Sequence, residues 1–244
     1  MRQPMPPEEP TPQSRRTAAS ALRRRVRVLR PGRLSYPEGL ALQRRIAEGV
    51  RAGTEPQTLI LLEHEPVVTL GRGASRENVL VSDAVLAEHG ITLHRCDRGG
   101  DVTYHGPGQV VAYPILNLAP DRRDVRRYVG DLERTMARVC ARYGLSAGPK
   151  EKMVGCWLGG VHGPGPWRKI GAIGVHISRW ITTHGLAFNV CPDPAHFALI
   201  VPCGIGAHPV TSLAAELGDP PPLEEVMDRL AEAFLEVFDA DASP

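Results

Sequence analysis

The sequence predicts a mixed-sheet α/β fold, and three observations predict it. Short apolar, strand-sized segments alternate with helical patterns from Val26 onward. The alternation is irregular, which fits a mixed sheet better than a doubly wound parallel one. The chain has 244 residues, long for a single domain yet within the range of one α/β core.

Val26 and Val28 open the first strand, and Leu40, Ile46 and Val50 mark the face of a helix after it. Leu59 to Leu62 is strand-like. Between Asp124 and Tyr143, Val125, Tyr128, Val129, Leu132, Met136, Val139, Cys140 and Tyr143 recur at three- and four-residue steps, with Asp124 as the N-cap and Gly144 as the stop. A last amphipathic helix uses Leu223, Val226, Met227, Leu230, Phe234 and Val237, its entry marked by the prolines at 220–222. A glycine-rich, strand-like stretch lies between these two helices. Residues 1–22, rich in proline with almost nothing apolar at the start, are expected to form a flexible tail ahead of one domain over 23–244.

Composition narrows the function. A formal charge of +2 is too small to argue for nucleic acid. No stretch reaches the roughly 20 apolar residues of a membrane span, and the N-terminus lacks the apolar core of a secretory signal. A cytoplasmic protein with no membrane partner is therefore expected. The cysteines, Cys96, Cys140, Cys156, Cys191 and Cys203, are odd in number and widely spaced, so they make a poor disulfide framework and at least one is a candidate reactive thiol.

Residues 98–109 read RGGDVTYHGPGQ. Such a segment is either a tight hairpin or a place where backbone approaches a ligand closely. Neither the dinucleotide fingerprint nor the Gly-Lys-Ser/Thr ending of a phosphate loop is present. Lys169 opens KIGAIGVHI, an apparent half-buried strand with Ile170, Ile173, Val175 and Ile177. A lysine there either snorkels to solvent or is desolvated enough to act as a base or as the cationic partner of a thiolate. Cys203, in IVPCGIG, is either an inert buried thiol or a nucleophile presented at a strand end. Cys191 with His196 and Cys203 with His208 share a five-residue spacing, but zinc cysteines usually come in close pairs, so no metal is expected. His64, His105 and His184 are each open to a structural or a site-lining role. Arg122, Arg123, Arg126 and Arg127 at a helix start read as a solvated face, or as a surface steering an acidic partner.

Taken in order, HEPVVTLGRG at 64–73, RGGDVTYHGPGQ at 98–109, KIGAIGVHI at 169–177, HGLAFNV at 184–190 and VPCGI at 201–205 resemble the bacterial lipoyl(octanoyl) transferase family. The resemblance implies the mixed α/β fold of biotin and lipoate protein ligase catalytic domains, and makes 23–244 the catalytic domain. It implies octanoyl-acyl carrier protein as donor, with the lipoyl domains of 2-oxoacid dehydrogenases and the glycine cleavage H protein as acceptors, and no cofactor. By the same resemblance Cys203 carries the acyl thioester and Lys169 tunes it. The acyl-binding residues map onto Arg98, Gly99, Gly100, Asp101, Val102, Thr103, Tyr104 and His105, onto Ala172, Ile173 and Gly174, and onto Gly185, Leu186 and Ala187. Cys156 and Phe188 depart from the usual pattern without touching that chemistry. An ATP-dependent lipoate or biotin ligase, a lipoyl-protein amidotransferase and a catalytically idle binding module are the rival readings.

Overall fold

The computed structural model describes residues 23–201 and 208–243, so the expected tail and Cys203 both lie outside the described residues. Strand β1 (Arg24–Leu34) leads into helix α1 (Tyr36–Ala52), β2 (Thr58–His64), β3 (Val67–Leu70), α2 (Asp83–Glu88), β4 (Thr92–Arg95), β5 (Val102–His105) and β6 (Gln109–Ile115). Then follow α3 (Val125–Arg142), β7 (Ala147–Lys150), β8 (Met153–Leu158), β9 (Arg168–Ser178), β10 (Ile181–Asn189), α4 (Pro194–Phe197), α5 (Leu213–Leu217), α6 (Leu223–Val237) and β11 (Ala240–Ser243).

These strands build two sheets, one in the order β11-β1-β2-β6-β10-β9-β8-β7 and a smaller one in the order β4-β3-β5. Pairing is parallel between β1 and both β11 and β2, and antiparallel from β2 through β7, so the large sheet is mixed as expected. The 98–109 segment is not a hairpin. Its strand β5 pairs with β3 in the small sheet, whereas β6 pairs with β2 and β10 in the large one, so the chain changes sheets at Gly106–Gly108.

Helix α3 starts at the expected cap, where the Asp124 carboxylate accepts from the Arg127 N–H at 3.0 Å, and it stops before Gly144, whose φ is +73°. It buries Tyr128, Leu132, Met136, Val139 and Cys140 in one cluster with Val226, Met227, Leu230 and Phe234 of α6, on one face of the large sheet. Each such leucine contributes about 1.5–3 kcal/mol on leaving water. Val125, expected on that face, is 47% exposed because it sits at the first turn. On the opposite face, α1 lays Ile46, Ala47 and Val50 against Ile60, Leu62, Val111, Tyr113, Ile115 and Ala187.

The basic stretch at 122–127 divides. Arg123, Arg126 and Arg127 are exposed, but Arg122 precedes the helix and is buried, its guanidinium paired with the buried Asp131 carboxylate and lying 5.0 Å from the centre of the Phe238 ring. Arg122 is therefore part of the core and offers nothing to a partner.

Candidate active site

Where the small sheet leans on the α1 face of the large one, a narrow slot opens between them. Its floor follows from strand parity. Ala172 pairs with Ala187 and Gly174 with Gly185 across β9 and β10, while the alternate pair, Ile173 and Leu186, belongs to the opposite, α3 side of the sheet. The floor is thus a row of small residues, and the space that larger side chains would fill stays open. Gly174 is small for a further reason: a Cβ there would lie 2.9 Å from the Gly99 carbonyl and 3.0 Å from Arg98 Cδ. That closeness lets the Arg98–Gly100 turn dock on β9, where the Gly99 N–H donates to the Val175 carbonyl at 2.9 Å.

Two small cavities make up the slot, and they share Thr103, Ala172 and Ala187. The first is lined by Arg98, Gly100, Asp101, Thr103, His105, Ala172, Ile173, Gly174, Gly185, Leu186 and Ala187, joined by Tyr36, Tyr113 and His184. The second reaches Lys169, with Gln109, Gly171, Asn189, Phe197 and Val210. A wider apolar hollow of about 650 Å³ adjoins this end and shares Phe197 and Val210 with it.

The sequence candidates from three separate segments are therefore brought together, with exceptions: Ile173 and Leu186 border the first cavity but pack in the cluster on the α3 side. Gly99 holds the turn to β9 by its backbone. Val102 and Tyr104 point away, because alternate residues of β5 face opposite sides, and they pack in the small sheet's own core. Tyr104 Oη lies 2.7 Å from His196 Nδ1.

Polar groups run along the slot, from Arg98 in the first cavity to Gln109 and Asn189 beside Lys169 in the second. The buried Arg98 guanidinium is tied to β3 through the Thr69 carbonyl at 2.7 Å and the Thr69 hydroxyl at 2.9 and 3.2 Å. Asp101 accepts from Asn78 Nδ2 at 2.6 Å and from the Val102 N–H at 2.8 Å, so its carboxylate shapes the turn. His105 Nδ1 donates to Gln109 Oε1 at 3.2 Å, and Gln109 Nε2 donates in turn to Asn189 Oδ1 at 3.0 Å. Burial, with His64 and Arg98 nearby, depresses His105 to about 3, so the ring is neutral. His184 holds a left-handed φ of +57° while its N–H donates to Gln43 Oε1 at 2.7 Å. Its ring meets Asp97 Oδ1 at 2.9 Å; burial lowers the imidazole, and the Asp97 hydrogen bond opposes that shift.

Lys169 is 8% exposed, so it does not snorkel into open solvent. Its N–H donates to the Pro209 carbonyl and its carbonyl accepts from the Thr211 N–H, both at 2.9 Å. The chain that returns from the Cys203 segment is in this way bonded to the backbone of Lys169. Cys203 itself lies outside the described residues. Among the described residues no three His, Cys, Asp or Glu side chains are grouped to hold a metal ion, and no helix is long and apolar enough to cross a membrane.

Tyr36, Tyr113, Trp157 and Glu133 were not legible as site residues. Each sits in a pattern that reads as core or helix surface, and only tertiary packing brings Tyr36 and Tyr113 to the slot and Trp157 and Glu133 near Lys169.

Residues 35–235 match the family model described as the lipoyl protein ligase A/B catalytic domain. An octanoyltransferase of Myxococcus xanthus is 52% identical over 216 residues, which is 88% of this chain and 60% of that protein. One of Solibacter usitatus is 46% identical over 213 residues, covering 87% of this chain and 93% of that protein. A bipartite lipoate protein ligase of Thermoplasma acidophilum, solved within an archaeal lipoylation system with its E2 lipoyl domain, superposes with a TM-score of 0.68 over 91% of this chain and 88% of that one. At 18% identity this last likeness speaks for the fold alone. By the extent of the family match and the identity to these relatives, the chain belongs to the lipoyl protein ligase A/B catalytic-domain family and, within it, to the octanoyltransferases, which are acyltransferases.

Proposed function

We propose that this acyltransferase moves an octanoyl group from octanoyl-acyl carrier protein, through a thioester on Cys203, to the acceptor lysine of lipoyl domains such as those of 2-oxoacid dehydrogenases and the glycine cleavage H protein. The reading places the work in the cytoplasm. One observation carries it: a narrow slot floored by Ala172, Gly174, Gly185 and Ala187 runs toward a buried lysine, and that lysine is backbone-bonded to Pro209 and Thr211, in the segment that follows Cys203 in sequence.

In this mechanism the Cys203 thiolate attacks the carrier thioester, the carrier's thiolate leaves and takes up a proton, and the enzyme holds an acyl thioester of similar energy. The amine of the acceptor lysine then attacks the enzyme thioester. An amide forms, the C–S bond breaks, and the proton lost by nitrogen restores the thiol. Atoms balance without ATP, metal or cofactor. Lys169 assists as a cation beside the thiolate or as a base, since an isolated thiol with a pKa near 8.5 is only partly ionised at neutral pH. The slot, too thin for a bulky group, suits a linear saturated chain.

An ATP-dependent lipoate ligase of the same fold is the second reading, because fold alone does not assign chemistry. The two differ in what the protein carries after meeting its donor. Intact-protein mass spectrometry after mixing with octanoyl-acyl carrier protein, with no nucleotide present, is expected to detect one octanoyl adduct that peptide mapping assigns to Cys203. Cys203→Ser is expected to abolish the adduct, and Lys169→Ala to slow its formation by roughly 10²–10⁴-fold. An adduct on another cysteine, or none without ATP, overturns the proposal.

A further inference from the structure

Trp157 and Lys169 are paired across the antiparallel strands β8 and β9, and the register slips by one residue immediately beyond them, where Cys156 meets Gly171. Irregularities of this kind re-aim the side chains beside them. Here the Lys169 ammonium comes to 5.2 Å from the centre of the Trp157 ring system. The indole is 1% exposed, and its N–H donates to the Met153 carbonyl at 3.0 Å, so the plane of the ring is fixed.

The rest of the surroundings is fitted to the lysine as well. Gly155 has a φ of +136°, and a Cβ there would lie 2.6 Å from Lys169 Cε. The Gly155 N–H donates to Glu133 Oε1 at 3.0 Å, which brings a carboxylate from α3 into this neighbourhood. Burial raises the Glu133 carboxyl, and the charge of Lys169 works against that rise. The His208 ring meets Trp157 edge-on at 5.7 Å.

Composition sharpens the point. The chain has many arginines but only three lysines, Lys150, Lys152 and Lys169. Two of the three have their ammonium groups over this one indole, Lys150 at 5.7 Å and Lys169 at 5.2 Å.

We propose that Trp157 is a positioning residue for Lys169, its indole face holding the ammonium at the end of the acyl slot with Glu133 as the nearby countercharge. This inference rests on the reading of Lys169 as the group that activates the acyl-accepting thiol. A desolvated cation over an indole is held by the ring's quadrupole. A leucine of adequate bulk would fill the space and supply no such hold.

Three lysines make the contact directly observable. With ¹³C-lysine labelling, the ε-CH₂ signals of Lys169 and Lys150 are expected upfield of Lys152 through the ring current, with Lys→Arg variants providing the assignments. In Trp157→Leu the Lys169 signal is expected to move to the position of Lys152. Single-turnover octanoyl transfer is expected to slow by roughly 3- to 30-fold, the size of a buried cation–π contact, with KM for the donor unchanged. Trp157→Phe keeps a ring and should retain part of both the shift and the rate, so it carries the test if the leucine variant does not fold. A Lys169 signal unmoved by loss of the indole, or a wild-type rate in Trp157→Leu beside a slow Lys169→Ala, overturns this inference and leaves the role of Lys169 standing. A wild-type rate in Lys169→Ala removes that role and the inference with it.

Discussion

Tyr113 Oη lies 2.7 Å from Nε2 of His64, whose Nδ1 lies 3.0 Å from the Leu34 carbonyl. A carbonyl only accepts, so Nδ1 carries the proton, and in the neutral ring Nε2 accepts from the tyrosine. His64 is fully buried, and burial keeps it neutral.

An acid-sensitive fold follows. Burial depresses His64 to about 4 and His105 to about 3, while an unfolded histidine titrates near 6.5. Between these values the unfolded chain binds more protons than the folded one, so stability is fully present above about pH 6.5 and is lost as pH falls toward 4. Thermal melts from pH 7 to 5 are expected to show a falling midpoint, with proton uptake on unfolding. A His64→Gln variant should show a shallower slope; an identical slope would mean that His64 does not contribute.

The Arg122–Asp131 pair is a structural bond in the core of the α3–α6 layer. Arg122→Ala leaves the Asp131 carboxylate, which is 0% exposed, with only the largely exposed Arg134 as its ion partner, and losing the buried half of such a network is expected to cost up to about 3–5 kcal/mol. Urea unfolding should register this loss, whereas octanoyl transfer at a temperature where the variant is folded should be close to wild type. A small change in stability would contradict the assignment of Arg122 to the core.

The small-residue floor makes a separate prediction. Ala172 lines both cavities of the slot, so Ala172→Leu is expected to obstruct the passage between them. A misfit of about one methylene in an apolar pocket is worth about 1–3 kcal/mol, a loss of roughly 10- to 200-fold in octanoyl loading. A short acyl donor should be affected less, and the melting temperature little. Equal losses for short and long donors would place the acyl chain elsewhere.

Much of the architecture was legible because it rests on local rules. The helix from Asp124 carried its own cap, apolar stripe and glycine stop, and the irregular succession of strands and helices pointed to a mixed sheet. The slot was half legible. Its glycines and alanines stood out in sequence, but a contiguous run such as 98–105 cannot line one surface, since β5 turns Val102 and Tyr104 to the other side. Tyr36, Tyr113 and Trp157 were hidden because nothing local distinguishes an aromatic facing a site from one filling a core. Arg122 was misleading in the opposite way: its neighbours in sequence are surface residues, and only the fold brings Asp131 beneath it.

The change of sheet at Gly106–Gly108 has a mechanical consequence. One wall of the slot belongs to β5 and the turn before it, the other to β9 and β10, so the cleft is a seam between two separately hydrogen-bonded bodies and not a hole within one. Its gauge is therefore set by how the bodies seat on each other, through fasteners such as the Gly99–Val175 hydrogen bond and the Glu63 carboxylate that accepts from the Gly108 N–H at 2.8 Å. If the slot holds the acyl chain as proposed, substitutions at those fasteners are expected to act on every chain length at once, like a change in the spacing of a vice, and substitutions in the floor to discriminate between one chain and the next.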